Sequence, residues 1–137
     1  MPRNWASFPS FSLPVIAVQI GNRTVRALAD TGAAQSLIDP QLVRQLGFTT
    51  AGTQLIVGLG TTPLLVRLVT LDSVMVGRCP LHSFMAGITD LWRDCVGAGP
   101  LGPSHLRLGI QLVLGINAFR RYRLQFDLAE GRLYLLV

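Results

Sequence analysis

At 137 residues, with 50% hydrophobic residues, 14 Gly, 8 Pro and 2 Cys, the chain can bury an ordinary core without disulfides or a metal, and its composition favours short strands and tight turns over long helices. Only 14% of residues are charged, and 12 basic residues, all arginine, against 7 acids give a formal charge of +5 and a pI near 10.6. That balance attracts anions, yet the arginines are scattered apart from Arg120, Arg121 and Arg123 and no aromatic-rich motif accompanies them, so nucleic acid is not an expected partner. No apolar run reaches the length of a membrane span, and residues 1–14 lack the charged start and apolar centre of a signal peptide. The chain as written reads as soluble and untargeted, with no compartment assigned.

Residues 1–13 mix Pro, Ser and aromatics without periodicity and read as an extended N-terminal arm, with residues 14–137 as a single domain. Trp5, Phe8 and Phe11 in this arm need cover, either from the domain's own surface or from a partner subunit. Residues 15–20 read as a strand, Gly21-Asn22 as a two-residue turn with glycine first, and residues 23–29 as the returning strand. That hairpin delivers a carboxylate, Asp30, to its end, followed by a hydroxyl on Thr31, a permissive Gly32 and a small Ala33. A further apolar strand is expected at residues 36–38. Then Asp39 as an N-cap, Pro40 at the first helical position, apolar Leu42, Val43 and Leu46, and a terminating Gly47 specify a short helix. Capping gives Asp39 a sufficient structural role.

Residues 54–68 form two apolar strands around a Gly- and Thr-rich tip, a hairpin with a long loop. Residues 70–76 and 79–85 read as another hairpin about Gly77-Arg78, with Asp72 in an exposed phase. Residues 87–109, holding Trp92, the proline- and glycine-rich run 97–103 and His105, read as a long surface connection with a helical turn near 90–95. Cys79, His82, Cys95 and His105 have no usual zinc-ligand spacing, so no metal or other cofactor is expected, and two buried thiols are the expected state of the cysteines. Residues 111–115 are a buried strand ending in Gly, 116–122 a short helix, 123–128 a strictly alternating strand, and 132–137 a last strand after the turn at 129–131.

The order of hairpin, Asp30-Thr31-Gly32-Ala33, a further apolar strand and, much later, Val113-Leu114-Gly115 resembles the retropepsin branch of the aspartic proteases. The resemblance covers residues 13–85 and 110–137 and is poorest at 87–109. It implies an all-β, retropepsin-like acid-protease barrel with one or two short helices, active as a two-fold homodimer. By the same resemblance Asp30 is the catalytic acid, Thr31 hydrogen-bonds across the axis, and Gly32 leaves room for substrate and water. Ala33, Val113, Leu114 and Gly115 support the active-site loop, and Val57, Gly58, Leu59, Gly60 and Thr61 form a flap over a peptide or protein substrate.

Peptide hydrolysis by carboxylates needs one group that takes a proton from water and one that gives a proton to the substrate carbonyl. None of the other six acids has a setting like that of Asp30: Asp39 caps a helix, Asp72, Asp90 and Asp94 lie in turns or the long connection, and Asp127 and Glu130 flank the last turn. A symmetric dimer supplies the second acid by setting Asp30 against its own copy, with the terminal strand and aromatic arm expected at the interface. Hydrolysis by Ser or Cys is disfavoured, since neither His82 nor His105 sits in a nucleophile motif. The alternative is a catalytically silent retropepsin-like dimer that serves as a peptide-binding or assembly module.

Overall fold

The computed structural model describes residues 4–56, 64–91 and 109–137. It is mostly β-structure, with one α-helix among the described residues. The β2 (Val15–Ile20) and β3 (Arg23–Ala29) hairpin turns at Gly21-Asn22, and its register sets Val18 opposite Val25. β4 (Ser36–Ile38) leads into helix α1 (Pro40–Leu46). The Asp39 carboxylate accepts from the Gln41 N–H at 3.0 Å, Pro40 fills the first turn, and Gly47 at φ 71° ends the helix in the left-handed conformation that a glycine adopts without penalty. One face of α1 buries Leu42 and Val43 in the core.

β5 (Thr50–Ile56) and β6 (Leu64–Leu71) are antiparallel, and both are longer than the alternation of residues 54–68 suggested. The expected strand at 70–76 is broken: Thr70 still belongs to β6, Ser73 takes φ 57°, and β7 (Val74–Val76) begins beyond it. β7 turns at Gly77-Arg78 into the very short β8 (Cys79–Pro80), and Met85 belongs instead to β9 (Phe84–Ile88), which pairs with β6 and β4. The cause is a change of partner. β6 pairs with β9 while β7 pairs with β2, so the chain has to leave one ladder before joining the next. β10 (Ile110–Leu114) is followed by a single 3-10 turn, Ile116–Phe119, where a longer helix was expected, then by β11 (Arg123–Asp127) and β12 (Arg132–Leu136).

Two sheets result among the described residues, a nine-stranded one in the order β5-β6-β9-β4-β10-β3-β2-β7-β8 and a three-stranded one in the order β1-β12-β11, with β1 being Trp5–Ser7. In the first, β10 is threaded between β3 and β4, parallel to β3 and antiparallel to β4. Both faces of β3 and β10 are covered. Ala27, Ala29, Leu112 and Leu114 face the main core, while Leu28 and Val113 join a second cluster with Val15, Leu91 and Ile110. Each fully buried leucine of this kind contributes roughly 2 kcal/mol through the hydrophobic effect, so the strand that leads to Asp30 is held firmly.

The N-terminal arm is not featureless. Trp5–Ser7 is strand β1, antiparallel to β12, and its three residues are too few to show a period in sequence. Phe8 is buried in the chain's own core and its N–H donates to the Gly131 carbonyl at 2.8 Å, whereas Phe11 stays exposed. The Arg132 guanidinium lies 4.2 Å from the Trp5 ring centroid, a cation–π contact between β12 and β1. Cys79 is free and half-buried, more accessible than expected; Cys95, together with Trp92, the 97–103 run and His105, lies outside the described residues. No helix among the described residues is long and apolar enough to cross a membrane.

Burial pushes the Asp39 carboxyl above its ordinary value, with the Gln41 N–H opposing and the Asp90 charge adding to the rise. A raised folded-state value means that Asp39 favours the folded state most at pH below the unfolded carboxyl value, and that this contribution is lost as pH rises through the folded value. Asn caps as well as Asp and carries no charge, so Asp39→Asn is expected to be at least as stable as wild type at pH 7, while Asp39→Ala loses about 1 kcal/mol. Urea denaturation at pH 4 and 7 checks both; equal losses in the two variants would contradict the capping argument.

Candidate active site

The threading of β10 builds the site. Because β10 fills the space between β3 and β4, the chain from Asp30 to Gln35 must arch over the end of β10 to get from one strand to the other. The Asp30 N–H donates to the Leu114 carbonyl at 2.9 Å, which extends the β3–β10 ladder by one bond and fixes the backbone of the half-buried acid. Inside the loop, the Gly32 N–H donates to Asp30 Oδ1 at 3.0 Å and the Ala33 N–H to the Asp30 carbonyl at 3.2 Å. One carboxylate oxygen of Asp30 is therefore oriented by the loop itself. Thr31 and Gly32 are exposed, and Ala33 is half-buried.

Gly115 lies directly beneath this arch. A Cβ placed on it would come within 2.7 Å of the Ala33 carbonyl oxygen and 2.8 Å of the Gln35 carbonyl carbon and oxygen, all backbone atoms. Only glycine permits this approach. The next residue ties the arch down, since the Ile116 N–H donates to the Ala33 carbonyl at 2.8 Å. Val113, two residues before Gly115, pairs with Leu28 on one side and Leu37 on the other. The structure thus brings Asp30, Thr31, Gly32 and Ala33 together with Leu114 and Gly115.

A second layer of contacts was not legible as functional in the sequence. Ser36 is completely buried; its Oγ accepts from the Gly115 N–H at 3.0 Å and donates to Asn117 Oδ1 at 2.7 Å. Asn117 Nδ2 donates in turn to the Met85 carbonyl at 2.8 Å, and Gln35 Nε2 reaches the same carbonyl at 3.0 Å. A polar residue opening an apolar strand, and an Asn two positions after a buried Gly, were the available signals. Ser36→Ala would leave the Gly115 N–H buried and unpaired, so a loss of about 1–3 kcal/mol is expected. Thermal denaturation is the check, and an unchanged Tm would show the bond to be dispensable.

The expected flap residues Val57, Gly58, Leu59, Gly60 and Thr61 lie outside the described residues; the β5 and β6 strands that lead to them pair as far as Ile56 and Leu64. Among the described residues no three His, Cys, Asp or Glu side chains converge where a metal ion would be held.

This arrangement agrees with what the sequence matches. The model of the aspartyl protease family fits residues 16–118, a span that includes both the Asp30 loop and Gly115. The chain belongs to the aspartyl protease family. Among solved structures, this aspartyl protease family member is similar to a retropepsin-like aspartic protease from Rickettsia conorii, at 17% identity and a TM-score of 0.58 over 96% of this chain and 87% of that one. At that identity the likeness concerns the fold, which is retropepsin-like. No curated protein sequence matches this aspartyl protease family chain.

Proposed function

We propose that the protein is an aspartic endopeptidase that hydrolyses peptide bonds through a water activated by a pair of carboxylates, Asp30 of one copy and Asp30 of a second, across a homodimer axis. The observation that carries this reading is the presentation of Asp30: a half-buried acid on an arch braced by Leu114, Gly115 and Ile116, with one carboxylate oxygen oriented by Gly32. Of the other acids, Asp39 is occupied at its helix cap and the Asp127 carboxylate accepts from the Glu130 N–H. Two carboxylates held in contact share a single proton, which makes the pair at once a base toward water and an acid toward the substrate carbonyl. Thr31 and Gly32, exposed in the single chain, would meet their counterparts and the substrate. The β5–β6 hairpin supports reading residues 57–61 as the tip that covers the bound peptide.

Surface composition supports self-association. Phe11 and Leu128, joined by the Phe11 N–H to Leu128 carbonyl bond of 2.9 Å, are 79% and 51% exposed beside the terminal sheet. Within that sheet β12, the terminal strand expected at the interface, is paired on both sides, to β1 and β11, so among the described residues the sheet's outer strands are β1 and β11. Sedimentation at micromolar concentration is expected to show a dimer of the 14.9 kDa chain, with specific activity falling on dilution. A single 14.9 kDa species whose specific activity is constant on dilution would rule the dimer out. Incubation with a diverse peptide library, read by mass spectrometry, tests cleavage itself and reports its specificity.

A further inference from the structure

Away from the arch, a cavity of about 290 Å³ opens between the segment after β8 and the chain that follows the 3-10 turn. His82, Ser83, Arg120 and Arg121 line it together with Asn117 and Tyr122, and none of the described lining residues is acidic. Two of its walls are fixed by bonds made elsewhere: the Asn117 side chain is taken up by Ser36 and Met85, and the Tyr122 hydroxyl donates to the Pro80 carbonyl at 2.8 Å. Among the described residues the other donors facing the cavity are not taken up in this way. Arg120 uses only its Nε, toward the Asn117 carbonyl at 3.3 Å, and among the described residues neither arginine meets a carboxylate.

Two guanidiniums on successive residues repel one another, in a chain whose formal charge is already +5. A planar guanidinium matches two oxygens of one anion at a time, and an imidazole N–H and a hydroxyl add directional donors. We propose that His82, Ser83, Arg120 and Arg121 form a binding site for a phosphate dianion, either free or carried on a phosphorylated side chain. A doubly charged, tetrahedral group offers oxygens to both arginines at once, which a single carboxylate does less well. The Arg120 guanidinium is held in place by its helical-turn carbonyl, so part of the ordering cost is met before the anion arrives. The site stands whether or not the chain cleaves peptides.

The test is amide NMR titration of the full chain with inorganic phosphate and with a short phosphoserine peptide, against chloride at matched ionic strength and the unphosphorylated peptide. Saturable shifts confined to residues 82–83 and 117–122 are expected with one or both phosphates. Tighter binding of the peptide assigns the source to a phosphorylated chain, and tighter binding of the ion to free phosphate. Arg120→Gln with Arg121→Gln should weaken the affinity by about tenfold or more. Should that pair not fold, Arg121→Gln alone keeps the test readable, because its side chain makes no hydrogen bond among the described residues. Equal shifts with chloride, shifts spread over Arg23 and Arg44 as well, or undiminished binding in the arginine variants would overturn the site.

Discussion

Asp30→Asn is expected to reduce peptide cleavage by at least about a thousandfold while leaving the fold intact. Asn has nearly the same shape, and its Oδ1 can still accept the 3.0 Å bond from the Gly32 N–H, so the arch loses nothing that holds it. What disappears is the carboxylate. Without it the proposed pair has no base for the attacking water and no proton to share. Cleavage of the library by mass spectrometry, with circular dichroism on the same samples, reads both arms. Wild-type activity in Asp30→Asn would sink the catalytic assignment. If wild type and variant are equally inert yet bind the same peptides, the chain is a binding or assembly module on a protease fold.

Gly115→Ala is expected to cost about 2–3 kcal/mol of stability, a fall in Tm of roughly 6–12 °C for a domain of this size. The added methyl would sit 2.7–2.8 Å from backbone atoms of Ala33 and Gln35, and backbone cannot swing aside as the end of a long side chain can. Relief requires the arch to lift away from β10. Lifting it stretches the Ile116 to Ala33 bond of 2.8 Å and the Asp30 to Leu114 bond of 2.9 Å, which are the contacts that place the acid. Activity per folded molecule should therefore fall together with stability, and peptide cleavage measured well below the lowered Tm separates the two effects. An unchanged Tm would mean that the arch is softer than its hydrogen bonds imply.

The local features were legible because their causes are local. Asp39, Pro40 and Gly47 specify a helix through capping and backbone preference over a few residues, and the Gly21-Asn22 turn closes its hairpin between two alternating strands. Alternation over residues 123–127 marks β11 in the same way. Asp30-Thr31-Gly32 and Val113-Leu114-Gly115 could be picked out as motifs, and resemblance to a family placed them near each other. Their contact has no local cause. The Gly115 N–H meets Ser36 Oγ across 79 residues, and Ser36 meets Asn117 across 81, so no window of sequence displays the bonds that hold the arch. The break at Ser73 and the pairing of β1 with β12 were likewise decided by which strands became neighbours, not by propensity. Sequence by itself determined that an acid would be presented at the end of a buried hairpin. Only the threading of β10 between β3 and β4 decided what holds that acid in place, because pairing between distant strands depends on how every intervening element packs.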